Sequence, residues 1–347
     1  MAPRAPSRLT ASPMPSRTLL DGIALVLADL DGVIYKGAGA IPHAVESINA
    51  IGEGVRVAYI TNNASRTDAS VAAHLTELGL HAAPEDVVTS PQAAVTLLAE
   101  LVPAGSTVLV VGGDGLVDEV TKGGFTVTRS ALDAPAAVIQ GFAPDVAWVH
   151  LAEAAFALNG EGTTGDLPWV ATNTDWTIPQ ARGTAPGNGT LVSAVHTAIG
   201  RLPVVAGKPE VAIFHEAFAR YHTESAIMIG DRLDTDILGA NRAGIPSVLV
   251  LTGIDQAKQV LGAVPQERPT YILDDLRQLH EPYPETVVTP EPGVTRTTVG
   301  TATVRREGAV LTVESGSGVD LLRAGAAAIW NSGASIYALD VPAELYS

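Results

Sequence analysis

Two kinds of hydrophobic pattern alternate along this chain. Short, continuously apolar runs, as in strands covered on both faces, are separated by stretches with apolar residues three and four apart, the spacing of a helix with one buried side. Ile23-Ala24-Leu25-Val26-Leu27 is the first such run, Val55-Arg56-Val57-Ala58-Tyr59-Ile60 the second, and Ala226-Ile227-Met228-Ile229 a later one. Val45, Ile48 and Ile51 repeat at helical spacing after Pro42, a residue tolerated in a first helical turn; Val71, Leu75 and Leu78 do so before Gly79. Strand, helix, strand, helix predicts a parallel α/β sheet. From residue 82 a second series begins, with strands expected over 107–111, 125–128, 136–141 and 169–172 and helices over 92–101, 115–122 and 145–158. The first pattern then resumes, with a helix over 211–221 and closing strands over 246–251 and 271–273.

The expected organisation is an α/β protein with a Rossmann-like parallel-sheet core, an inserted α/β cap domain and a small C-terminal α+β module. The core takes 19–81 and 203–280, the cap 82–202 and the module 294–347. Prolines recur over 281–293, which reads as a linker. In the module, alternation over 297–305 and 309–314 predicts an antiparallel hairpin around Glu307-Gly308, followed by a helix over 319–329 and a strand over 335–339. At about 55 residues the module is near the lower limit for standing alone. It is expected to pack on the rest of the chain or on a second subunit, which leaves a homo-oligomer open. Residues 1–18 are rich in Pro, Ser, Arg and Ala and lack the apolar core of a signal peptide; they read as a disordered tail, with Met14 as an alternative start.

Polar residues collect where the apolar runs stop. Asp29 and Asp31 follow the first strand, with Gly32 behind them. Residues two apart in an extended strand end point the same way, so the two carboxylates could share one volume above the sheet edge. Such a pair needs a cation or a shared proton. A hard divalent ion such as Mg2+ takes oxygen ligands and suits the first alternative. Alone, the same residues equally fit a solvated turn. Thr61-Asn62-Asn63 follows the second strand and precedes a helix, a place suited to holding an anion, although Asn63 or Ser65 as a simple N-cap fits as well. Lys208 ends a short apolar segment, and Asp231 and Asp236 follow the strand over 226–229. In an open parallel sheet, ligands bind outside the carboxyl ends of the strands.

Together, Asp29-Leu30-Asp31-Gly32-Val33-Ile34-Tyr35, Thr61-Asn62-Asn63, Gly207-Lys208-Pro209 and Gly230-Asp231-Arg232-Leu233-Asp234-Thr235-Asp236-Ile237 resemble the four motifs of the haloacid dehalogenase superfamily, in order, over about Leu20 to Leu279. More narrowly the chain is similar to phosphatases of that superfamily with an α/β cap between the second and third motifs. The overall layout, with an extra C-terminal module, is most like the bacterial glycerol-3-phosphate phosphatases. The resemblance implies a Mg2+-dependent phosphomonoesterase working through an aspartyl-phosphate. It makes Asp29 the nucleophile and Asp31 the general acid and base. Asp29, Asp31 (through its backbone carbonyl), Asp231 and Asp236 would hold the metal, Asp236 directly or through water. Thr61, Asn62 and Lys208 would hold the phosphoryl oxygens, and Asn173 and Asp175 in the cap would recognise the leaving group; a turn-rich surface loop is the alternative for that last segment. Glycerol 3-phosphate leads as substrate, ahead of phosphoglycolate and sugar or nucleotide phosphates. The resemblance also implies an acetyltransferase-like C-terminal fragment, but no glycine-rich pyrophosphate loop is present, so acetyl transfer is not expected.

Composition narrows the partners. A net charge of -16, from 21 basic and 37 acidic residues, argues against nucleic acid, which needs basic clusters to displace counterions. It also means that only local cations can draw in a phosphate ester. No run approaches a bilayer span, and the absence of cysteine removes disulfides and zinc–thiolate sites. A small phosphorylated metabolite in the cytoplasm is the expected setting. The eight histidines show no metal-ligand spacing near the motifs. Phospho-acceptor receiver domains also place Asp, Thr and Lys at parallel strand ends, but they lack both an acid two residues after the nucleophile and an inserted lid. A dinucleotide site fails because no G-x-G-x-x-G follows the first strand; Gly112-Gly113-Asp114-Gly115 does not fit that spacing.

Overall fold

The computed structural model describes residues 18–159, 167–180 and 182–346; the expected tail of 1–18 lies outside them except for Thr18, which pairs with Pro282. Six parallel strands form the core sheet in the order Tyr271–Leu273, Ser247–Val250, Ala226–Gly230, Leu25–Ala28, Arg56–Thr61, Val87–Thr89. Leu25–Ala28 is wholly buried in the middle, as its unbroken apolar sequence requires. Ala28 sits opposite Ile229 on one side and Tyr59 on the other. That register brings Asp29 and Asp231, which follow their strands, and Thr61, which ends its own, to one sheet edge.

The cap is a second parallel sheet, ordered Val204–Val205, Trp169–Ala171, Ala137–Gln140, Thr107–Val111, Thr126–Thr128. The sheets correct the expected boundaries at 82 and 203. Val87–Thr89 belongs to the core sheet and Val204–Val205 to the cap sheet. Strands of three and two residues are too short to show periodicity, so only their pairing reveals them. Helix Ser90–Leu101, opened by a reciprocal Thr89–Gln92 capping box, joins the two layers. Its Ala94 and Leu98 share one apolar cluster with Leu27, Ile60 and Val88 of the core and Val110, Ile139 and Val170 of the cap.

The C-terminal module differs from expectation in three places. Thr286–Glu291, inside the expected linker, is an exposed edge strand of a four-stranded antiparallel sheet. The expected strand over 297–305 is two strands, Val294–Val299 and Ala302–Glu307, separated by a turn at Gly300. The segment over 335–339 is a 3-10 turn, Ile336–Ala338, and only Asp340 bridges to Val310. Edge strands with one neighbour tolerate proline, which is why Pro290 misled the linker assignment. The hairpin around Glu307-Gly308 and the helix, Gly318–Trp330, are as expected.

The module packs on this chain's own core. Leu321, Leu322 and Ile329 share a cluster with Leu249, Ile272 and with Leu233 and Ile237, which flank the Asp234–Asp236 segment. Buried Arg323 donates to the Ile272 carbonyl from Nε (2.8 Å) and Nη2 (2.6 Å), pairs with Asp320 (2.7 Å) and lies 4.5 Å over the Tyr283 ring. Arg323→Ala is expected to cost about 2–3 kcal/mol of stability. Urea unfolding checks this; an unchanged midpoint would refute the role. Among the described residues, no helix is long and apolar enough to cross a membrane.

Candidate active site

Asp29 follows the buried Leu25–Ala28 strand and keeps its backbone N–H on the Ile229 carbonyl (2.8 Å), so its position is set by the sheet. Asp231 follows Ala226–Gly230. Its Oδ2 accepts from the Ile254 N–H (2.7 Å). A π-helical turn, Leu233–Ile237, then carries Asp236 back, where Oδ2 accepts from the N–H groups of Asp231 (3.1 Å) and Arg232 (3.2 Å). Oxygens of Asp29, Asp231 and Asp236 all lie within 4.8 Å of one another, and all three residues are buried. Gly32 makes room for this convergence. Its φ is +87°, and a Cβ there would stand 2.2 Å from Asp231 Oδ2.

Lys208 enters the same space. Its Nζ lies 2.5 Å from Asp29 Oδ1 and 2.7 Å from Asp236 Oδ1, with 3% of the residue exposed. Asp236 Oδ1 has no partner besides that ammonium. Three buried carboxylates therefore face one ammonium. Burial, together with the charges of Asp236 and Asp231, holds the Asp29 carboxyl well above its ordinary range, with Lys208 pulling the other way. Asp231 is pushed up to about 7 by burial and then by Asp236. Burial would lower the Lys208 ammonium, but Asp236 and Asp29 more than reverse it. Three buried carboxylates against one ammonium leave an excess of buried negative charge that fits a hard divalent cation, and the all-oxygen donor set fits no soft metal.

Asp31 does not join this cluster. The strand ends at Ala28, the chain turns through Gly32, and the Asp31 side chain is solvent-exposed at the mouth. The three clustered carboxylates are therefore Asp29, Asp231 and Asp236, with Asp31 outside the set. Partial desolvation still raises the Asp31 carboxyl, opposed chiefly by Arg66. Tyr35–Lys36 and Gly39–Ala40 form a short antiparallel hairpin beside it.

Thr61 is buried at the end of its strand, where Oγ1 accepts from the Asn63 N–H (3.1 Å) and keeps its own proton to donate. The Asn62 side chain is otherwise engaged. Its Oδ1 accepts from the Lys208 N–H (2.8 Å), and its Nδ2 donates to the Lys208 carbonyl (3.0 Å) and to the Asp175 carboxylate (3.1 Å). Asn173 donates from Nδ2 to the Asn62 carbonyl (2.7 Å), and its Oδ1 accepts from the Asp175 N–H (3.1 Å). The expected cap residues thus reach the core motif itself. Two participants were not assigned from the sequence. The Ser90 hydroxyl donates to the Asn62 carbonyl (2.9 Å), and fully buried Asn188 donates to the Asn173 carbonyl (2.7 Å). Their partners lie 28 and 15 residues away in sequence, beyond the reach of local pattern.

Carboxylates, an ammonium and a hydroxyl meeting at the carboxyl edge of a parallel sheet, beneath an inserted cap, define a hydrolase of the haloacid dehalogenase type. The haloacid dehalogenase-like hydrolase family matches residues 26–126, and a second HAD-hydrolase-like family matches 205–279, the two sequence segments that carry the motifs. This chain belongs to that family. It is 45% identical over 312 residues to the D-glycerol 3-phosphate phosphatase of Mycobacterium tuberculosis, covering 89% of this chain and 86% of that protein. It is 33% identical to an acid sugar phosphatase of Staphylococcus aureus, over 73% of this chain and 95% of that one. Among solved structures, a glycerol phosphate phosphatase from M. tuberculosis in complex with magnesium superposes with a TM-score of 0.80 at 41% identity, covering 91% of this chain and 92% of that one. A p-nitrophenyl phosphatase from Archaeoglobus fulgidus gives 0.67 at 25% identity, over 74% and 98%.

Proposed function

We propose that this chain is a Mg2+-dependent phosphomonoesterase whose substrate is a small phosphorylated metabolite, glycerol 3-phosphate first. The observation that carries the reaction class is the buried set Asp29, Asp231, Asp236 and Lys208 at one sheet edge. The substrate rests on the 45% identity to a D-glycerol 3-phosphate phosphatase across nearly its whole length.

A phosphate monoester resists attack because its own charge repels nucleophiles, so the site must neutralise charge and align an in-line displacement. Asp29 attacks phosphorus, the bond to the leaving oxygen breaks, and an aspartyl-phosphate forms. Asp31, at the mouth, gives its proton to the departing alkoxide and then takes one from the water that hydrolyses the intermediate. Lys208 and the Thr61 hydroxyl hold phosphoryl oxygens. Asp29, the Asp31 carbonyl, Asp231 and Asp236 would hold Mg2+, which supplies charge neutralisation at the phosphoryl group. Asn173 and Asp175 bring the cap to the leaving-group side. The cap limits space to small esters and keeps bulk solvent from the reacting atoms, leaving room for the one water that hydrolyses the intermediate.

Phosphate release from a panel of glycerol 3-phosphate, phosphoglycolate, sugar phosphates and nucleotides, with Mg2+ and with EDTA, tests the reading. Metal-dependent release is expected, strongest with glycerol 3-phosphate and falling to background in EDTA. Preference for a sugar phosphate would keep the class and change the substrate; no release from any ester would overturn both.

A further inference from the structure

We infer that Asn62 is a positioning residue for Lys208, and that Asp175 of the cap sets the direction in which the Asn62 amide points; this deepens the phosphatase reading and rests on it. The argument starts from what each partner can do. A carboxylate only accepts, so the amide nitrogen must face Asp175, as it does at 3.1 and 3.3 Å from the two oxygens. The amide oxygen is thereby turned to the Lys208 N–H (2.8 Å), while the nitrogen's other proton meets the Lys208 carbonyl (3.0 Å). Flipping the amide would set its oxygen against the Asp175 carboxylate and the Lys208 carbonyl, which are acceptors, and its nitrogen against a donor.

Both backbone polar groups of Lys208 are therefore tied to one side chain. From that fixed base the ammonium reaches Asp29 and Asp236. The Asn62 backbone is itself anchored, its carbonyl accepting from Asn173 (2.7 Å) and Ser90 (2.9 Å). Gly207 admits the arrangement: a Cβ there would lie 2.5 Å from Asn62 Oδ1 and 2.5 Å from the Thr172 carbonyl. Without Asp175 the amide keeps its two bonds to the Lys208 backbone but loses the carboxylate that holds the nitrogen's other proton. The phosphoryl-binding lysine is thus held most firmly when the cap is seated.

The role makes a claim that leaving-group recognition does not. Lys208 serves the phosphoryl group, which every ester shares, so damage to the clasp must be blind to the leaving group. Asn62→Ala and Asp175→Ala are each expected to lower kcat/KM by about 10–100-fold, the scale of one hydrogen bond involving a charged group. The factor should be the same for glycerol 3-phosphate and 4-nitrophenyl phosphate. Inorganic phosphate, titrated by calorimetry with Mg2+ present, should bind each variant about tenfold or more weakly. The double variant should be no worse than Asn62→Ala. Asn62→Asp sets a second carboxylate against Asp175, and adding Asp175→Asn restores a donor–acceptor pair; partial recovery of phosphate affinity is expected, which a variant that merely misfolds would not show. Losses confined to glycerol 3-phosphate, unchanged phosphate affinity, or additive single effects would overturn the clasp. Wild-type protein that neither binds phosphate nor releases it from any ester would overturn the phosphatase reading as well.

Discussion

Asp29→Asn is expected to reduce turnover by roughly 10⁴-fold or more, the scale seen when a covalent nucleophile is removed, while the fold survives. The amide is nearly the same size and its oxygen can still accept from Lys208, now 2.5 Å from Asp29 Oδ1. What it loses is the charge and basicity needed to attack phosphorus. The variant also removes one of three buried carboxylates in a place where burial and neighbouring aspartates oppose ionisation. Thermal unfolding of the metal-free variant should therefore be unchanged or slightly later than wild type. Phosphate release and melting temperature, measured on the same preparation, separate the two effects. Retained turnover would place the nucleophile elsewhere, and a collapsed fold would make Asp29 a structural residue.

Asp31→Asn should cost at least about 100-fold on glycerol 3-phosphate, the range for loss of a general acid or base. The effect should depend on the ester. Glycerol leaves as a poor alkoxide and needs the proton, whereas 4-nitrophenolate leaves without one. With the nitrophenyl ester the variant is expected to release a rapid burst of nitrophenolate and then stall, because no base activates water for the second step. The pH profile follows from the same residue. Burial raises the Asp31 carboxyl, so its acid form persists to higher pH than in a free aspartate, with Arg66 limiting the rise. For glycerol 3-phosphate, kcat/KM should fall as pH climbs through that raised pKa, and the variant should lack this basic limb. An unaltered limb would assign it to another group.

Lys208 carries much of the electrostatic weight in both results. It faces Asp29 and Asp236 from a buried position. An isolated lysine in a sequence is usually a solvated surface charge. Here its meaning comes from the residues it meets, and the clasp through Asn62 ties that meeting to the cap.

The core was legible because its strands are long enough to declare themselves. Leu25–Ala28 and Ala226–Gly230 are buried on both faces, and such strands must be continuously apolar. Their polar ends stand out against that background, so Asp29, Asp31, Thr61, Lys208, Asp231 and Asp236 could be named before any contact was known. The inserted cap was legible for the same reason, as a second series of strand and helix periods. Its borders were not. Val87–Thr89 and Val204–Val205 acquire their sheet membership from partners far along the chain, and short segments have no period of their own. Thr286–Glu291 is fully exposed along its length, so it lacks the alternation by which a half-buried strand is recognised. The site divides in the same way. Residue types at the strand ends, with the resemblance of their order to the four family motifs, named the side chains that could do phosphoryl chemistry. Only the tertiary structure decided that Asp31 stands at the mouth and that the Asn62 amide is committed to Lys208 and Asp175, because a hydrogen bond between residues 113 or 146 positions apart leaves no trace in local pattern.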